Sequence, residues 1–201
     1  MLLVKDISLN RSKREIFKNV SMTLTSGKVV ILKGKNGSGK TSFIKTILNL
    51  LNPTTGSVYW KGKTLDKNLY DFYNNITYIA DKTTSIKQLT VDQNINIWKK
   101  LFLSNIDLDQ IQKILFTLNL SIYENTKVSS LSLGEIKKLE LIRLVIENKK
   151  FWILDEPLTN LDNDSIDVVE QTFMDHRNNG GAIIFSSHHN NQIGASEEIK
   201  F

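Results

Sequence analysis

Three short stretches of the 201-residue chain carry side chains whose types and spacing could do chemistry. Gly34-Lys35-Asn36-Gly37-Ser38-Gly39-Lys40-Thr41 fits the pattern G-x-x-x-x-G-K-[ST], with Ser42 directly after it. In that pattern glycines let backbone amides curl around phosphate oxygens, and the start of the next helix adds a favourable dipole. Lys40 then supplies a point charge and Thr41 a magnesium-ligating hydroxyl, while Asn36, Ser38 and Ser42 complete the phosphate-binding set. Phe151-Trp152-Ile153-Leu154-Asp155-Glu156 is an apolar strand ending in two carboxylates. Asp155 is placed to hold magnesium and Glu156 to polarise an attacking water. Leu131-Ser132-Leu133-Gly134-Glu135 opens a helix, where Ser132 and the following free amides make a second anion-binding start. Taken singly, these are a glycine turn, a pair of solvated strand-end charges and a serine cap; together they describe phosphoryl transfer from a magnesium-bound nucleotide to water.

The elements around them have the pattern this requires. Short alternating runs over residues 1–32 read as strands, and Val29-Val30-Ile31-Leu32 as a buried central one. The glycine loop follows, then a helix from about Lys40 to Leu51 with Phe43, Ile44, Ile47, Leu48 and Leu51 on one face, stopped by Asn52-Pro53. A hairpin-like piece lies at Val58-Tyr59-Trp60, and residues from about 85 to 148 turn helical. Strand character returns at Phe151–Leu154, a helix follows from about Ser165 to Asn178, and Ala182–Ser186 is another apolar strand. Alternating strands and helices predict a parallel sheet. The expected class is α/β: a P-loop NTPase core with an antiparallel β edge subdomain and an inserted α-helical subdomain, forming one domain over 1–201.

Composition narrows the setting. With no Cys there is no disulfide framework, thiolate metal site or cysteine nucleophile. The longest unbroken apolar runs fall far short of the roughly 18 residues that span a bilayer. No charged start followed by a long apolar segment is visible, so a cytoplasmic location is expected. Lys+Arg number 26 against 21 Asp+Glu, a net charge of +5 spread along the chain with little aromatic interleaving, which argues against a nucleic-acid partner.

The phosphate loop, the LSLGE stretch, and Phe151–Pro157 followed by Leu158-Thr159-Asn160-Leu161-Asp162 resemble the ATP-binding cassette ATPases, and the resemblance spans nearly the whole chain. It implies ATP and Mg2+, with Lys40, Glu156 and His188 catalytic, His188 being the histidine that senses the γ-phosphate. It implies a dimer, or a pair with another nucleotide-binding subunit, in which Ser132 and Gly134 of one subunit close over ATP held by the other. Asp162 falls in the dimer-contact loop. Two positions depart from the family pattern. Where an aromatic usually stacks on adenine, spacing gives Arg11, with Phe17 the nearest alternative. Where a glutamine usually ligates magnesium, spacing gives Lys82, which cannot; slow hydrolysis with altered coupling is the expectation.

A bare cassette without a spanning segment resembles the detached motor of a transporter, peripheral to the cytoplasmic face of the inner membrane and dependent on an integral membrane subunit. Leu89 to Leu101, with Thr90, Asn94 and Trp98, is similar to a segment of the haem-exporter ATPases of cytochrome c maturation. In that family haem is not bound by the ATPase itself. The alternatives are the ATPase of another small exporter, or a degenerate nucleotide-binding regulator. Ile97, Trp98, Leu101 and Phe102 read either as core of the helical part or as a face for the membrane subunit.

Overall fold

The computed structural model describes residues 1–12, 14–187 and 193–201. Two sheets organise it. The first is antiparallel, in the order β2-β1-β4-β5, from β1 (Leu2–Arg11), β2 (Arg14–Leu24), β4 (Thr55–Trp60) and β5 (Lys63–Thr64). The second has the order β6-β7-β8-β3-β9, from β3 (Val29–Lys33), β6 (Ile76–Ile79), β7 (Phe151–Leu154), β8 (Ala182–Ser187) and β9 (Glu197–Lys200). All its described pairings are parallel.

Period-two alternation along the parallel strands divides the interior. Val30 and Leu32 of β3, Ile153 of β7, and Ala182 and Ile184 of β8 face a core shared with the antiparallel sheet and with helix α1 (Lys40–Ile47). Their neighbours Val29, Ile31, Trp152, Leu154, Ile183 and Phe185 face the opposite core, closed by Val169 and Phe173 of α6 (Asn163–Asn178). Strands buried on both faces read as continuous apolar runs, which is how β3, β7 and β8 were visible in sequence.

Between α2 (Leu69–Asn75) with β6 and the return to β7 lie three helices, α3 (Val91–Leu101), α4 (Leu108–Thr117) and α5 (Leu133–Glu147). Each of the three begins with a reciprocal capping box, Thr90 with Gln93, Asp107 with Gln110 and Ser132 with Glu135. They enclose a third core of Val91, Ile95, Trp98, Ile111, Leu115 and Ile142, among others. Helix α5 belongs to two cores: Leu139, Ile142 and Ile146 face the third, whereas Leu141 and Leu144 face the second. Val145, on the same helix, is 37% exposed. Trp98 is core and Leu101 is 68% exposed, so the two readings of that segment divide between its residues.

Three details depart from the sequence expectation. Helix α1 stops at Ile47, not Leu51, because Asn49 adopts φ 57°, a left-handed stop that Asn tolerates. The two short runs Leu2–Val4 and Ile7–Leu9 are one bulged strand, with Asp6 at φ 48° and its amide donating to Ser21 Oγ at 2.8 Å. Strand β9 was not foreseen; Glu197-Glu198-Ile199-Lys200 has little apolar pattern, and it is fastened to its neighbourhood by Lys28–Glu197 and Lys33–Glu198 ion pairs of 2.6 and 2.7 Å.

Candidate functional site

The loop between β3 and α1 is shaped by Gly39, which caps α1 at φ 115°. A side chain there would be strained and its Cβ would stand 3.0 Å from Ile16 Cγ2, so only glycine lets the loop close on β2. Lys40, 5% exposed, donates from Nζ to the carbonyl of Gly34 at 2.7 Å and to that of Lys35 at 3.3 Å. Its ammonium also lies 3.1 Å from Glu156 Oε1. The loop, Lys40 and Glu156 help line a cleft of about 360 Å3, in which Asn36, Gly37, Ser38, Thr41 and Ser42 present the phosphate-binding set.

The two carboxylates at the end of β7 are held differently. Asp155 is 1% exposed; its amide donates to the Ile79 carbonyl at 2.8 Å, and its Oδ1 accepts from Ser186 Oγ at 2.7 Å. Glu156 turns away at φ 48°, its amide donating to the same Ser186 hydroxyl at 2.8 Å. Ser186, at the end of β8, therefore sets the angle between a buried carboxylate and one that enters the cleft. Asp155 Oδ2 is buried without a hydrogen-bond partner among the described residues. An orphaned carboxylate oxygen at the carboxyl edge of a parallel sheet, with the Thr41 hydroxyl in the adjoining cleft, suits a hard divalent cation such as Mg2+.

Sequence spacing pointed to Lys82, but Lys82 is exposed and does not line the cleft; Asp81 does. Asp81 follows β6 by two residues at the same sheet edge as Asp155, and that placement was the readable signal. Behind it, Lys137 of α5 is 6% exposed, and its Nζ donates to the Asp81 carbonyl at 3.4 Å. Burial lowers the Lys137 pKa, against the pull of Asp81, Glu140, Asp155 and Glu156. Burial, reinforced by Asp155 and Asp81, pushes the nearby Tyr78 hydroxyl up to about 12, so it stays protonated.

The two residues weighed for adenine stacking lie outside the lining of the cleft. Phe17 is 6% exposed and packs edge-on against Phe43 and Phe201, with centroids 5.6 and 5.9 Å away, so it belongs to the core beneath the loop. Arg11 is exposed at the β1–β2 turn and does not line the cleft. Ile16, one residue before Phe17 and on the other face of β2, does line it.

Ser132, Gly134 and Asp162 form a separate group. Ser132 Oγ accepts from the Glu135 amide at 3.2 Å, and Glu135 Oε2 accepts from the Ser132 amide at 2.7 Å. A Cβ on Gly134 would lie 2.5 Å from the Asn160 carbonyl, so glycine lets α5 touch the loop before α6. Asp162 caps α6 through Ser165 and accepts from Lys138 Nζ at 2.8 Å; those donors hold its pKa below the usual carboxylate range. None of the three lines the Lys40 cleft. His188 lies outside the described residues.

Residues 17–159 match the ABC transporter family. Among curated relatives, the cytochrome c biogenesis ATP-binding export protein CcmA of Reclinomonas americana is 36% identical over 190 residues, covering 93% of this chain and 84% of that protein. CcmA of Aliivibrio fischeri is 29% identical over 197 residues, covering 98% and 96%. Of solved structures, an ABC transporter ATP-binding protein from Pyrococcus furiosus superposes with a TM-score of 0.84 at 23% identity, over 99% of this chain and 96% of that one. A dimeric ATP-binding cassette in a post-hydrolysis state, bound to ADP and Pi, gives 0.76 at 21% identity, over 94% and 88%. These superpositions show the fold, and the family match extends over most of the residues that build the cleft. The chain belongs to the ABC transporter family, as an ATP-binding subunit similar to the CcmA proteins.

Proposed function

We propose that this chain is the ATP-hydrolysing motor of an export complex of the cytochrome c biogenesis type, working on the cytoplasmic face of the inner membrane beside an integral membrane subunit. Among the described residues no helix is long and apolar enough to cross a membrane. The carrying observation is the Lys40–Glu156 ion pair in the lining of the cleft, beside the orphaned Asp155 oxygen.

From that geometry the steps follow. Amides of residues 36–41 and Lys40 take the β- and γ-phosphates of ATP. Thr41 and Asp155 would hold Mg2+, which would supply positive charge to offset that of the phosphates. The incoming γ-phosphate competes with Glu156 for Lys40. As Lys40 turns to the phosphate, the Glu156 carboxylate is left to accept a proton from an attacking water. Lys82, exposed beyond the cleft, gives no ground for a non-hydrolysing regulator.

Ser132 and Gly134 lie away from this nucleotide, at a second helix start, which supports closure over ATP bound to a second subunit, with Asp162 at the contact. Haem, as cargo, is handled by the rest of the complex in this reading. The test is ATP turnover by the chain reconstituted with its membrane subunit. Glu156→Gln should reduce turnover by roughly 10²- to 10⁴-fold, and unchanged turnover would remove Glu156 from the mechanism.

A further inference from the structure

The segment after β6 enters the cleft at one end and is gripped by α5 at the other. Asp81 lines the cleft. Two to four residues later, Thr83, Thr84 and Ser85 converge on Glu140, which is 3% exposed. Glu140 Oε1 accepts from Thr83 Oγ1 at 2.6 Å, from the Thr84 and Ser85 amides at 2.7 Å each, and from Ser85 Oγ at 2.6 Å. Its Oε2 accepts from Thr84 Oγ1 at 2.9 Å and from Arg143 Nη1 at 3.3 Å. One turn earlier on the same helix face, Lys137 reaches the Asp81 carbonyl.

A buried carboxylate is tolerable only when its lone pairs are filled, and here five of the donors come from three consecutive residues of one loop. Burial raises the Glu140 pKa, but the hydrogen bonds from Ser85, Thr83 and Thr84 and the Arg143 charge outweigh it, so the carboxylate stays ionised. Arg143 extends the grip: it donates to Glu147 at 2.9 and 2.7 Å and lies over the rings of Trp98 and Phe102, 5.9 and 5.8 Å from their centroids. The loop is thus anchored to α5, and through Arg143 to α3.

We propose that Glu140 is a positioning residue: through Thr83, Thr84 and Ser85, with Lys137 as the second grip, it fixes Asp81 in the cleft, where the Asp81 carboxylate supports the Mg2+–nucleotide. Helix α5, not the parallel sheet, then governs where that carboxylate stands. The same helix starts at Ser132 and Gly134, so the metal end of one nucleotide site and the anion-binding end offered to another are carried by one rigid element. The proposal rests on the reading of the cleft as an ATP site.

The experiment titrates Mg2+ against binding of a fluorescent ATP analogue to the full chain, with binding in EDTA as reference. Asp81→Asn should raise the half-saturating Mg2+ concentration about tenfold, and Glu140→Gln about three- to tenfold. The double variant should match Asp81→Asn alone, since Glu140 acts only through Asp81. Metal-free nucleotide binding should stay within about twofold in Glu140→Gln and in the loop variant. A merely structural residue would shift the EDTA reference as well, and its effect would multiply with that of Asp81→Asn. Should Glu140→Gln fail to give a cooperative melt, Thr83→Val with Ser85→Ala removes loop donors from the other side and is read identically. An unchanged Mg2+ requirement in a folded Glu140 or loop variant, an inert Asp81→Asn, or full multiplicativity overturns the proposal while leaving the ATP site intact. A wild-type chain that binds no ATP overturns the ATP-site reading, and the proposal with it.

Discussion

Lys40 and Glu156 hold each other 3.1 Å apart in the lining of the nucleotide cleft, the lysine 6% and the glutamate 14% exposed at the side chain. A pair so placed is weak evidence of stability, because desolvation offsets most of the attraction. Its value is as a competition that ATP must win.

Substituting the two partners should therefore have opposite effects on binding. Lys40→Met removes the charge that meets phosphate and should weaken ATP affinity by about 100-fold or more. Glu156→Gln removes the competitor and should leave affinity equal or up to about tenfold tighter. Equilibrium binding of a non-hydrolysable ATP analogue decides it; weaker binding by Glu156→Gln would show that the pair is not a competitor of the nucleotide.

Ser186 is the hinge between the two carboxylates, donating to Asp155 and accepting from the Glu156 amide. Ser186→Ala leaves both buried groups short of a partner and should lower stability by about 1–3 kcal/mol. Urea unfolding without nucleotide measures this. Hydrolysis should fall further than the stability loss explains, since the Glu156 backbone angle loses its tether. Ser186→Cys, a poorer hydrogen-bonding substitute, should fall between.

Lys82 and Asp81 make a contrasting pair. Lys82→Gln, which would restore the amide that spacing suggests, should leave turnover within about twofold, because that residue is exposed and does not line the cleft. Asp81→Asn should lower turnover about tenfold. Steady-state ATPase rates check both, and equal effects would show that the segment shifts its register by one residue when nucleotide binds.

His176 stacks on Trp152 with ring centroids 3.5 Å apart and planes 5° from parallel, and burial lowers its pKa to about 4 despite a contact with the Lys150 carbonyl. Folding thus favours the neutral imidazole. Its contribution is present above pH 6.5, the unfolded value, and is lost as pH falls from 6.5 toward 4. Discounted for solvent screening, the loss is about 1 kcal/mol. His176→Phe should flatten this part of the melting temperature profile; an unaltered slope between pH 6.5 and 4 would assign the dependence elsewhere.

The phosphate loop, the acidic strand end and the buried strands were legible because each depends on local chemistry: glycine at Gly39, a lysine at 40, apolar runs around 29–32 and 151–154. The parts that were not legible depend on distance. Ser186 is 30 residues from Glu156, and Glu140 lies 55–57 residues from its loop partners, so nothing in either neighbourhood marks the contact. Lys82 was favoured over Asp81 because motif spacing carries no information about which way a loop turns after its strand. Arg11, with Phe17 as the alternative, came from spacing and residue type alone, and neither carries strand parity, although alternation along β2 sends Ile16 and not Phe17 toward the cleft.

Helix α5 serves as a party wall between two packed rooms, with Leu141 and Leu144 papering one side and Leu139, Ile142 and Ile146 the other. A wall of this kind has no slack on either side, because interiors at crystal-like density yield in steps and not by degrees. Whatever nucleotide does to the protein through this helix should therefore register as a change between two seated positions.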